Sequence, residues 1–409
     1  MIMTGLEGST INAHPPVQVG VEVLIKDGKI GQLKGKRIGL ITNHTATSSQ
    51  GISTINLFKQ LGPIVGFELG ALFAPEHGLN GSIHAEEIVD NARDSDAIPI
   101  YSLYGKHRRP SEAMLKGLDL LIYDIQDIGS RSYTYVSTLF YVMEEAAKRK
   151  IPLIVLDRPN PINGIVVDGP MLEERWRSIV GYINVPYCHG MTAAELALFF
   201  NSEYKIGCKL KVIPMKNWKR EMSFNDTGLL WVPTSPQIPE ATTPLFYPMT
   251  GLLGELSLVS IGIGYTLPFK VVGAPWIEAK KFAGALNGQK FPGVHFEPFH
   301  YKPFYGKFAH KECQGVLIAI TDPLSYKPVS TQYLIIGILK SLYSSKFKEA
   351  VESSKGRKDM FCKVTGTEDI YRIVTEENNI VWKLRGFHEK ERANFLTLRK
   401  KYLIDGYGQ

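Results

Sequence analysis

The chain has 409 residues, of which 44% are hydrophobic and 21% charged, a composition typical of a folded protein that is too long for one ordinary core. Its net charge of +7 is spread along the chain, which argues against a nucleic-acid-binding stripe and favours an anionic small substrate. No apolar run approaches the roughly 18 residues of a membrane helix, and residues 1–18 lack the charged and apolar regions of a signal peptide. We therefore expect a cytoplasmic protein, or the mature form of a periplasmic or secreted one.

Apolar runs alternate with segments of helical spacing through the first half of the chain. In chain order the pattern predicts a strand over 21–25, a strand over 37–43, a helix over 51–61, a strand over 64–73, a strand over 98–101, a helix from 111, a strand over 119–123, a helix over 133–150, a strand over 152–156 and a helix over 192–200. Strands that alternate with helices predict an α/β fold with a doubly wound, mostly parallel sheet.

The composition changes past about residue 205, where glycines, prolines and tryptophans recur. Short strands over 209–214 and 316–321 and a helix over 332–343 predict a second α/β domain. Its proline-rich loop over 234–239 and its other loops could close over one edge of the first domain.

Polar residues follow four of the predicted strands at the point where each strand ends. These clusters are Asn43-His44, Glu76-His77, residues 124–131, and Asp157-Arg158 with Asn160. Since parallel strands bring their carboxyl ends to one edge of a sheet, we expect these side chains to form an active site.

Glu76 is the candidate catalytic acid at this edge. It follows a buried strand that stops at Pro75, because proline cannot continue a central strand ladder. The alternative is that Glu76 and His77 only cap the next segment and form local ion pairs. Residues 78–96, beyond them, predict a polar loop or lid.

Several common functional motifs are missing from the sequence. Gly262-Ile263-Gly264 lacks the third glycine of a dinucleotide fingerprint, and there is neither a glycine-rich phosphate loop ending in Gly-Lys-Ser/Thr nor a Gly-x-Ser-x-Gly nucleophile elbow. The four cysteines form no Cys-x-x-Cys pair and the histidines match no metal-ligand spacing, so we expect buried thiols and neither a metal nor a cofactor. His189 precedes a helix with a capping box at Thr192 and Glu195, and it either faces a ligand or is satisfied by the backbone.

A series of linked motifs spans roughly residues 20–405. In order they are residues 33–45, Phe73-Ala74-Pro75-Glu76-His77-Gly78, residues 101–105, residues 124–129, Arg131 with Tyr133-Thr134-Tyr135, residues 156–164, His189-Gly190-Met191-Thr192, Tyr247-Pro248, Pro268-Phe269 and residues 272–276. Together these motifs resemble the NamZ exo-β-N-acetylmuramidase family, formerly catalogued as a domain of unknown function.

This resemblance implies an exo-acting glycoside hydrolase that releases N-acetylmuramic acid from the non-reducing ends of peptidoglycan fragments. It implies a Rossmann-like catalytic domain over residues 20–230 and a smaller auxiliary C-terminal domain over residues 231–406 that shapes the substrate pocket. The catalytic glutamate of the family's Pro-Glu-His-Gly motif carries over onto Glu76. The expected ligand is a muropeptide or muramyl sugar, no nucleic-acid partner is expected, and the sequence predicts no oligomeric state.

The second catalytic group has more than one candidate. Glycosidic cleavage needs a proton donor, here Glu76, and a group that stabilises the oxocarbenium-like centre. Asp124 or Asp127 would act as nucleophile or base. Alternatively, the acetamido oxygen of the substrate attacks and a carboxylate orients it.

Nine further residues are candidates for binding the sugar. They are Asn43, His44, His77, Arg131, Tyr133, Asp157, Arg158, Asn160 and His189. Arg131 and Arg158 are expected to hold the lactyl carboxylate of muramic acid, because a guanidinium group binds a carboxylate through two hydrogen bonds. The alternative for both arginines is an ion pair with a neighbouring aspartate.

Some stretches depart from the family pattern. Ala85-Glu86-Glu87 replaces Ala-Gly-Glu, and Pro236-Gln237 replaces Pro-Asn. Gly254-Glu255-Leu256-Ser257 and Gly262-Ile263-Gly264-Tyr265 stand where the family usually carries Glu-Gly-Thr-Asn and Gly-Arg-Gly-Thr, so the expected arginine is Ile263 or is displaced. The departures leave two alternatives: a divergent member with altered amino-sugar specificity, or a non-catalytic muropeptide-binding protein.

Overall fold

The structure, a computed structural model, describes residues 15–81, 92–105 and 107–408. Glu86 and Glu87, with most of the predicted lid, lie outside these ranges. Within the described ranges, no helix has the length and apolar character needed to cross a membrane.

The described strands form two sheets. In chain order they are β1 (Arg37–Thr42), β2 (Glu68–Ala74), β3 (Ala92–Arg93), β4 (Pro99–Ser102), β5 (Leu120–Asp124), β6 (Leu153–Leu156), β7 (Leu210–Ile213), β8 (Val271–Ala274), β9 (Val294–Tyr301) and β10 (Cys313–Ile320). The larger sheet has the order β3-β4-β2-β1-β5-β6-β7 and is parallel except for β3, whereas β8-β10-β9 form an antiparallel sheet. The predicted α/β class, with a mostly parallel sheet and a smaller second α/β region, is confirmed. The strand predicted over 209–214 was assigned to the wrong region, because it pairs with β6 as β7 of the larger sheet.

Helices pack around both sheets. The described α-helices are α1 (Gly20–Lys26), α2 (Thr54–Val65), α3 (Glu112–Leu115), α4 (Thr134–Lys148), α5 (Ala193–Glu203), α6 (Thr243–Glu255), α7 (Ala279–Asn287), α8 (Pro328–Leu342), α9 (Ser344–Ser353), α10 (Lys358–Thr365), α11 (Glu368–Glu376), α12 (Ile380–Gly386) and α13 (Glu389–Arg399). The capping box predicted at the start of α5 is present.

The larger sheet is buried on both faces, as is usual for parallel strands with apolar side chains on both sides. Successive residues of β5 show this alternation. Ile122 belongs to the core that contains Phe58 of α2, whereas Tyr123 belongs to the core that contains Phe140 of α4. The central strands are therefore fixed from both sides, and so are the residues at their ends.

The core beneath α4 continues into the C-terminal part of the chain. It includes Val316 of β10, Leu334 of α8 and Phe395 of α13 as well as Phe140. The two parts of the chain therefore pack through a shared apolar cluster. The proposed domain boundary between residues 230 and 231 stays a prediction.

The first predicted strand is wrong, because residues 21–25 lie in helix α1. The carboxylate of Glu22 accepts a hydrogen bond from the backbone N–H of Val19 at 3.2 Å and so caps this helix. A short run of β-branched and apolar residues does not distinguish a buried strand from a helix that is buried on most sides.

The strand predicted over 64–73 begins later than expected. Residues 64 and 65 complete α2, which ends at Gly66 with a left-handed φ of +87°. Glycine terminates helices in this way because it lacks the Cβ that would be strained there. The other elements predicted in the first half differ from the observed bounds by a few residues.

Candidate active site

Four polar strand ends lie at one edge of the larger sheet, as the sequence predicted. β1, β2, β5 and β6 run parallel, and Thr42 lies opposite Asp124 in the register of β1 and β5. The side chains that follow these strands nevertheless differ in environment. Some line a cavity, and others are enclosed by hydrogen bonds within the protein.

Glu76 follows β2 and lines a cavity of about 580 Å³, here called the Glu76 cavity. The N–H of Gly78 donates to the carbonyl of Pro75 at 3.1 Å, and His77 and Gly78 adopt left-handed φ values of +70° and +74°. This conformation is uncommon for a residue with a side chain, and it occurs at functional sites where the surroundings enforce it. Glu76 is 8% exposed, and its Oε2 accepts a hydrogen bond from the hydroxyl of Thr134 at 2.6 Å.

Both halves of the chain contribute walls to the Glu76 cavity. The lining includes Glu76, His77 and Tyr133 from the first half and Gln237, Tyr247 and Glu255 from the second. The rings of Tyr133 and Tyr247 meet edge to face with centroids 6.1 Å apart. Such rings provide large apolar walls with a polar edge, which suits the mixed surface of a sugar.

The proline-rich loop is held over the strand edge by hydrogen bonds. The hydroxyls of Tyr133 and Tyr135 donate to Thr234, the first to its side chain at 3.0 Å and the second to its carbonyl at 2.5 Å. Nε2 of His44 lies 2.6 Å from the carbonyl oxygen of Pro233. Burial lowers the pKa of His44, which favours a neutral ring that donates from Nε2. His44 therefore holds this loop and does not line the Glu76 cavity.

Glu255 is the other acidic residue that lines the Glu76 cavity within the described ranges. It is the last residue of α6, and its Oε2 lies 3.2 Å from Nη2 of Arg357. Burial raises the pKa of Tyr247 to about 12, and its proximity to Glu255 and Glu76 contributes to this rise. The phenol therefore lies near one acidic residue from each half of the chain.

A second chamber of about 400 Å³ adjoins the Glu76 cavity. The walls that the two share are formed by Tyr247, Glu255, Phe269 and Val364. The second chamber is further lined by Ile263, Lys307 and Arg357. Two basic side chains thus lie next to the cavity that holds Glu76.

Asp124 and Arg158 form a buried ion pair. Nε and Nη2 of Arg158 lie 2.5 and 3.1 Å from the two carboxylate oxygens of Asp124, and the hydroxyl of Thr54 donates to Asp124 at 2.5 Å. Arg158 also donates to the carbonyl of Thr47 at 2.9 Å. The pair matches the alternative considered for this arginine, and neither residue lines the Glu76 cavity.

Asp127 is also buried and does not line the Glu76 cavity. Its Oδ2 accepts a hydrogen bond from the N–H of Gly129 at 2.7 Å, and its Oδ1 has no hydrogen-bond partner among the residues that the structure describes. Burial raises the pKa of Asp127 to about 7. Its role as a catalytic partner stays a prediction.

Arg131 connects the two halves of the chain through backbone carbonyls. It donates to Pro170, Val185, Val364 and Thr365 at distances from 2.6 to 3.3 Å. Burial lowers its pKa to about 10, so the group is still a cation at neutral pH. Because both Nη groups bond to carbonyls, Arg131 is not placed to hold a lactyl carboxylate.

Asn43 and Asn160 make hydrogen bonds that shape the strand ends. Oδ1 of Asn43 accepts from the N–H and the hydroxyl of Thr45 at 3.0 and 2.6 Å. Asn160 accepts from the N–H of Ile162 and donates to the carbonyl of Met191, both at 3.0 Å. Neither side chain lines the Glu76 cavity.

Asp157 and His189 are buried near the start of α5. Asp157 accepts from the hydroxyl of Thr192 at 2.8 Å and from the N–H of Ala194 at 3.1 Å, and burial raises its pKa to about 7. Nδ1 of His189 accepts from the N–H of Met191 at 3.2 Å, and burial lowers the pKa of His189 to about 3. A neutral histidine held by the backbone is the structural alternative that the sequence left open, but only Nδ1 is satisfied, because the buried Nε2 has no hydrogen-bond partner among the described residues.

The structure therefore brings three of the predicted site residues, Glu76, His77 and Tyr133, to the cavity. It adds Thr134, Tyr247 and Glu255, which were not among the predicted site residues. Thr134 and Tyr247 occur within the family motifs and Glu255 within a departure from them, but no spacing distinguishes these residues from their neighbours.

The described residues hold no group of three or more His, Cys, Asp or Glu side chains arranged for a metal ion. The cysteines are buried free thiols, as their spacing predicted. They are Cys188, Cys208, Cys313 and Cys362.

Family comparisons match both halves of the chain. The family model described as "Exo-beta-N-acetylmuramidase NamZ, N-terminal" matches residues 38–242, and the C-terminal model of the same description matches residues 245–404. The sequence is 40% identical over 391 residues to the peptidoglycan beta-N-acetylmuramidase NamZ of Bacillus subtilis strain 168. This alignment covers 95% of the present chain and 92% of that protein.

Two crystal structures from Bacteroides fragilis, both of DUF1343 family proteins, are similar in fold. The first is 41% identical with a TM-score of 0.88, and the second is 27% identical with a TM-score of 0.68. Each comparison covers 95% of the present chain and 99% of the other. The similarity thus extends across both sheets.

Proposed function

The chain belongs to the NamZ family of exo-β-N-acetylmuramidases, a family of glycoside hydrolases, and on this basis we propose that it releases N-acetylmuramic acid from the non-reducing ends of peptidoglycan fragments. The observation that carries the proposal is the position of Glu76. This carboxylic acid follows the buried strand β2 and lines a cavity whose walls come from both halves of the chain.

Glu76 is the proposed proton donor. Its carboxyl proton passes to the glycosidic oxygen as the bond from that oxygen to the anomeric carbon breaks. The hydroxyl of Thr134 holds one carboxyl oxygen and so orients the group. When water attacks the anomeric carbon, the carboxylate of Glu76 accepts a proton from it and returns to its starting form.

Glu255 is the proposed second carboxylate. Positive charge develops at the anomeric carbon, and a carboxylate stabilises it directly or by orienting the acetamido group for attack. Glu255 lines the Glu76 cavity, whereas Asp124 and Asp127 do not. The geometry therefore favours Glu255 for this role over the aspartates predicted from the sequence.

Hydrolysis of an aryl β-N-acetylmuramide by the Glu76→Gln variant tests the proposal. Loss of the proton donor should lower kcat by about 10²- to 10⁴-fold, because general acid catalysis contributes that much. Glu349→Gln is the matched control, since Glu349 is an exposed glutamate of α9, and its kcat should equal that of the native protein. Native-like turnover by Glu76→Gln would reject the role of Glu76.

Altered specificity is the second candidate function, favoured by Ile263 at the wall of the second chamber. The native protein would then release little sugar from the muramide and more from another aryl amino sugar, such as the N-acetylglucosaminide. Tight binding of N-acetylmuramic acid with no turnover of any aryl glycoside would instead indicate a binding protein.

A further inference from the structure

Lys307 is a half-buried lysine in the wall of the second chamber. Among residues 15–81, 92–105 and 107–408, no acidic side chain forms an ion pair with it. Burial lowers the pKa of Lys307, and the nearby charge of Lys311 lowers it further. An ammonium group in this setting is stabilised by an anion that replaces its lost water.

The backbone around Lys307 is fixed against the turn at Gly262-Ile263-Gly264. The N–H of Phe304 donates to the carbonyl of Gly264 at 2.7 Å. A Cβ at Gly264 would lie 2.0 Å from the carbonyl oxygen of Tyr305, so this approach requires glycine. Lys307 therefore extends from a segment whose position is set by close backbone packing.

The charges around the second chamber favour an anion. Its lining contains two cations, Lys307 and Arg357, and one carboxylate, Glu255, within the described ranges. Arg357 already holds Glu255 through its Nη2 at 3.2 Å and through a 2.9 Å hydrogen bond from Nε to the backbone carbonyl of Glu255. The cation without an acidic partner among the described residues is Lys307, whose Nζ lies 5.0 Å from the ring centroid of Phe308.

The cations first expected to bind a carboxylate are committed elsewhere. Arg158 pairs with Asp124, and Arg131 donates to backbone carbonyls. Position 263 in the wall of the second chamber is an isoleucine and supplies no charge. Lys307 lies in the same wall and supplies a cation there.

We propose that the second chamber binds a carboxylate carried by the substituent of the sugar, and that Lys307 recognises it. The inference rests on the proposed function, which places a muramic acid residue beside Glu76. Because the second chamber adjoins the Glu76 cavity, the site that would bind a substituent of that sugar lies next to the site proposed for the sugar itself. The carboxylate is that of the lactyl group or, where a stem peptide extends this group as an amide, that of the peptide.

Calorimetric binding to the full-length protein tests this assignment. The ligands are N-acetylmuramic acid and its lactyl carboxamide, then N-acetylmuramoyl-L-alanyl-D-glutamate and its neutral diamide. The native protein should prefer at least one acid over its neutral partner. Lys307→Met should bind that acid about ten- to a hundredfold more weakly and bind the neutral partner as before, because a charge-assisted hydrogen bond is worth that much. Lys307→Arg should retain the preference.

Two further variants make the result specific. Lys311→Met changes a neighbouring exposed lysine and should behave as the native protein does. Arg108→Met removes a cation that lines the Glu76 cavity itself. A preference seen only with the first pair of ligands identifies the lactyl carboxylate, and one seen only with the second pair identifies the peptide.

The assignment is overturned if the native protein prefers neither acid, if Lys307→Met keeps the native preference, or if Arg108→Met alone removes it. Binding does not require turnover. Absence of hydrolysis by the native protein would therefore count against the proposed function and leave the binding test of Lys307 unaffected.

Discussion

The hydroxyl of Thr134 donates a 2.6 Å hydrogen bond to Oε2 of Glu76, across 58 positions of the chain. Thr134 is the first residue of α4, and Glu76 follows β2. A strand end and a helix start thus meet at the candidate catalytic group. This contact fixes one oxygen of the carboxyl group that is proposed to donate the proton.

Replacing Thr134 by valine removes this hydrogen bond and keeps the shape of the side chain. We expect kcat for an aryl β-N-acetylmuramide to fall about tenfold or more, with little change in KM. Glu76 gains negative charge as it donates its proton, and one hydrogen bond to a charged group is worth about 1.5–3 kcal/mol. Thr138→Val is the matched control one turn along α4, where the hydroxyl donates to the carbonyl of Thr134 at 3.3 Å. Equal activities of the two variants would show that the contact does not orient Glu76.

Glu255→Gln should lower kcat by about a hundredfold or more if Glu255 is the second carboxylate, because the developing positive charge loses its stabilising anion. The affinity for N-acetylmuramic acid, measured by calorimetry, should change much less than kcat. Asp127→Asn, which alters a residue outside the lining of the Glu76 cavity, is the comparison. A larger loss of kcat in Asp127→Asn than in Glu255→Gln would return the catalytic role to the aspartate.

Breaking the Asp124–Arg158 pair should lower the stability of the protein without impairing catalysis by the folded molecules. Asp124→Asn or Arg158→Met alone leaves a buried charge without its partner, so each should lower the free energy of unfolding by about 3–5 kcal/mol. The double variant should lose less than the sum of the two. Glu68→Gln, which alters the exposed pair with Arg37, should cost less than about 1 kcal/mol. A folded Asp124→Asn protein without activity would contradict this account.

Arg131→Met should destabilise the protein by about 3 kcal/mol or more, since the buried carbonyl groups that Arg131 contacts would lose a charged donor. Urea denaturation measures the loss. Arg372→Met is the control because Arg372 is exposed on α11, and it should change stability by about 0.5 kcal/mol or less. Affinity for N-acetylmuramic acid should survive in the folded fraction of Arg131→Met, and its selective loss would restore the predicted ligand contact.

Asp127 should make the stability of the protein depend on pH. Burial raises the pKa of Asp127 from 3.8 to about 7, so the folded protein holds this proton more tightly than the unfolded chain. The resulting stability is full below pH of about 4 and is lost as the pH rises through about 7.

The side chain introduced in Asp127→Asn cannot ionise. This variant should therefore lack the loss of stability that ionisation of Asp127 causes in the native protein as the pH rises. Relative to the native protein, its free energy of unfolding should rise by roughly 4 kcal/mol between pH 4 and pH 8. Urea denaturation across this range measures the difference. Asp359→Asn, at an exposed position of α10, should follow the native curve. Parallel curves for Asp127→Asn and the native protein would show that Asp127 is not held in its neutral form.

Most elements of the larger sheet, and the polar residues at the strand ends, were predictable from local sequence. An apolar run followed by Pro75 marks the end of β2, and the capping box at Thr192 marks the start of α5. These signals involve residues only a few positions apart, so they can be recognised in a single sequence without the tertiary structure. Residues 21–25 were mispredicted because the same apolar run suits a strand and a short buried helix.

Tertiary contacts decided which of the polar strand ends line the Glu76 cavity. Arg158 pairs with Asp124, which lies 34 positions away in the sequence, and Arg131 donates to the carbonyl of Thr365, which lies 234 positions away. Glu255 lines the cavity from the other half of the chain. A buried charge must have a partner because removing it from water is costly. Whether that partner is another protein group or a substrate depends on what folding brings within a few ångströms, and neighbouring residues in the sequence do not encode that proximity.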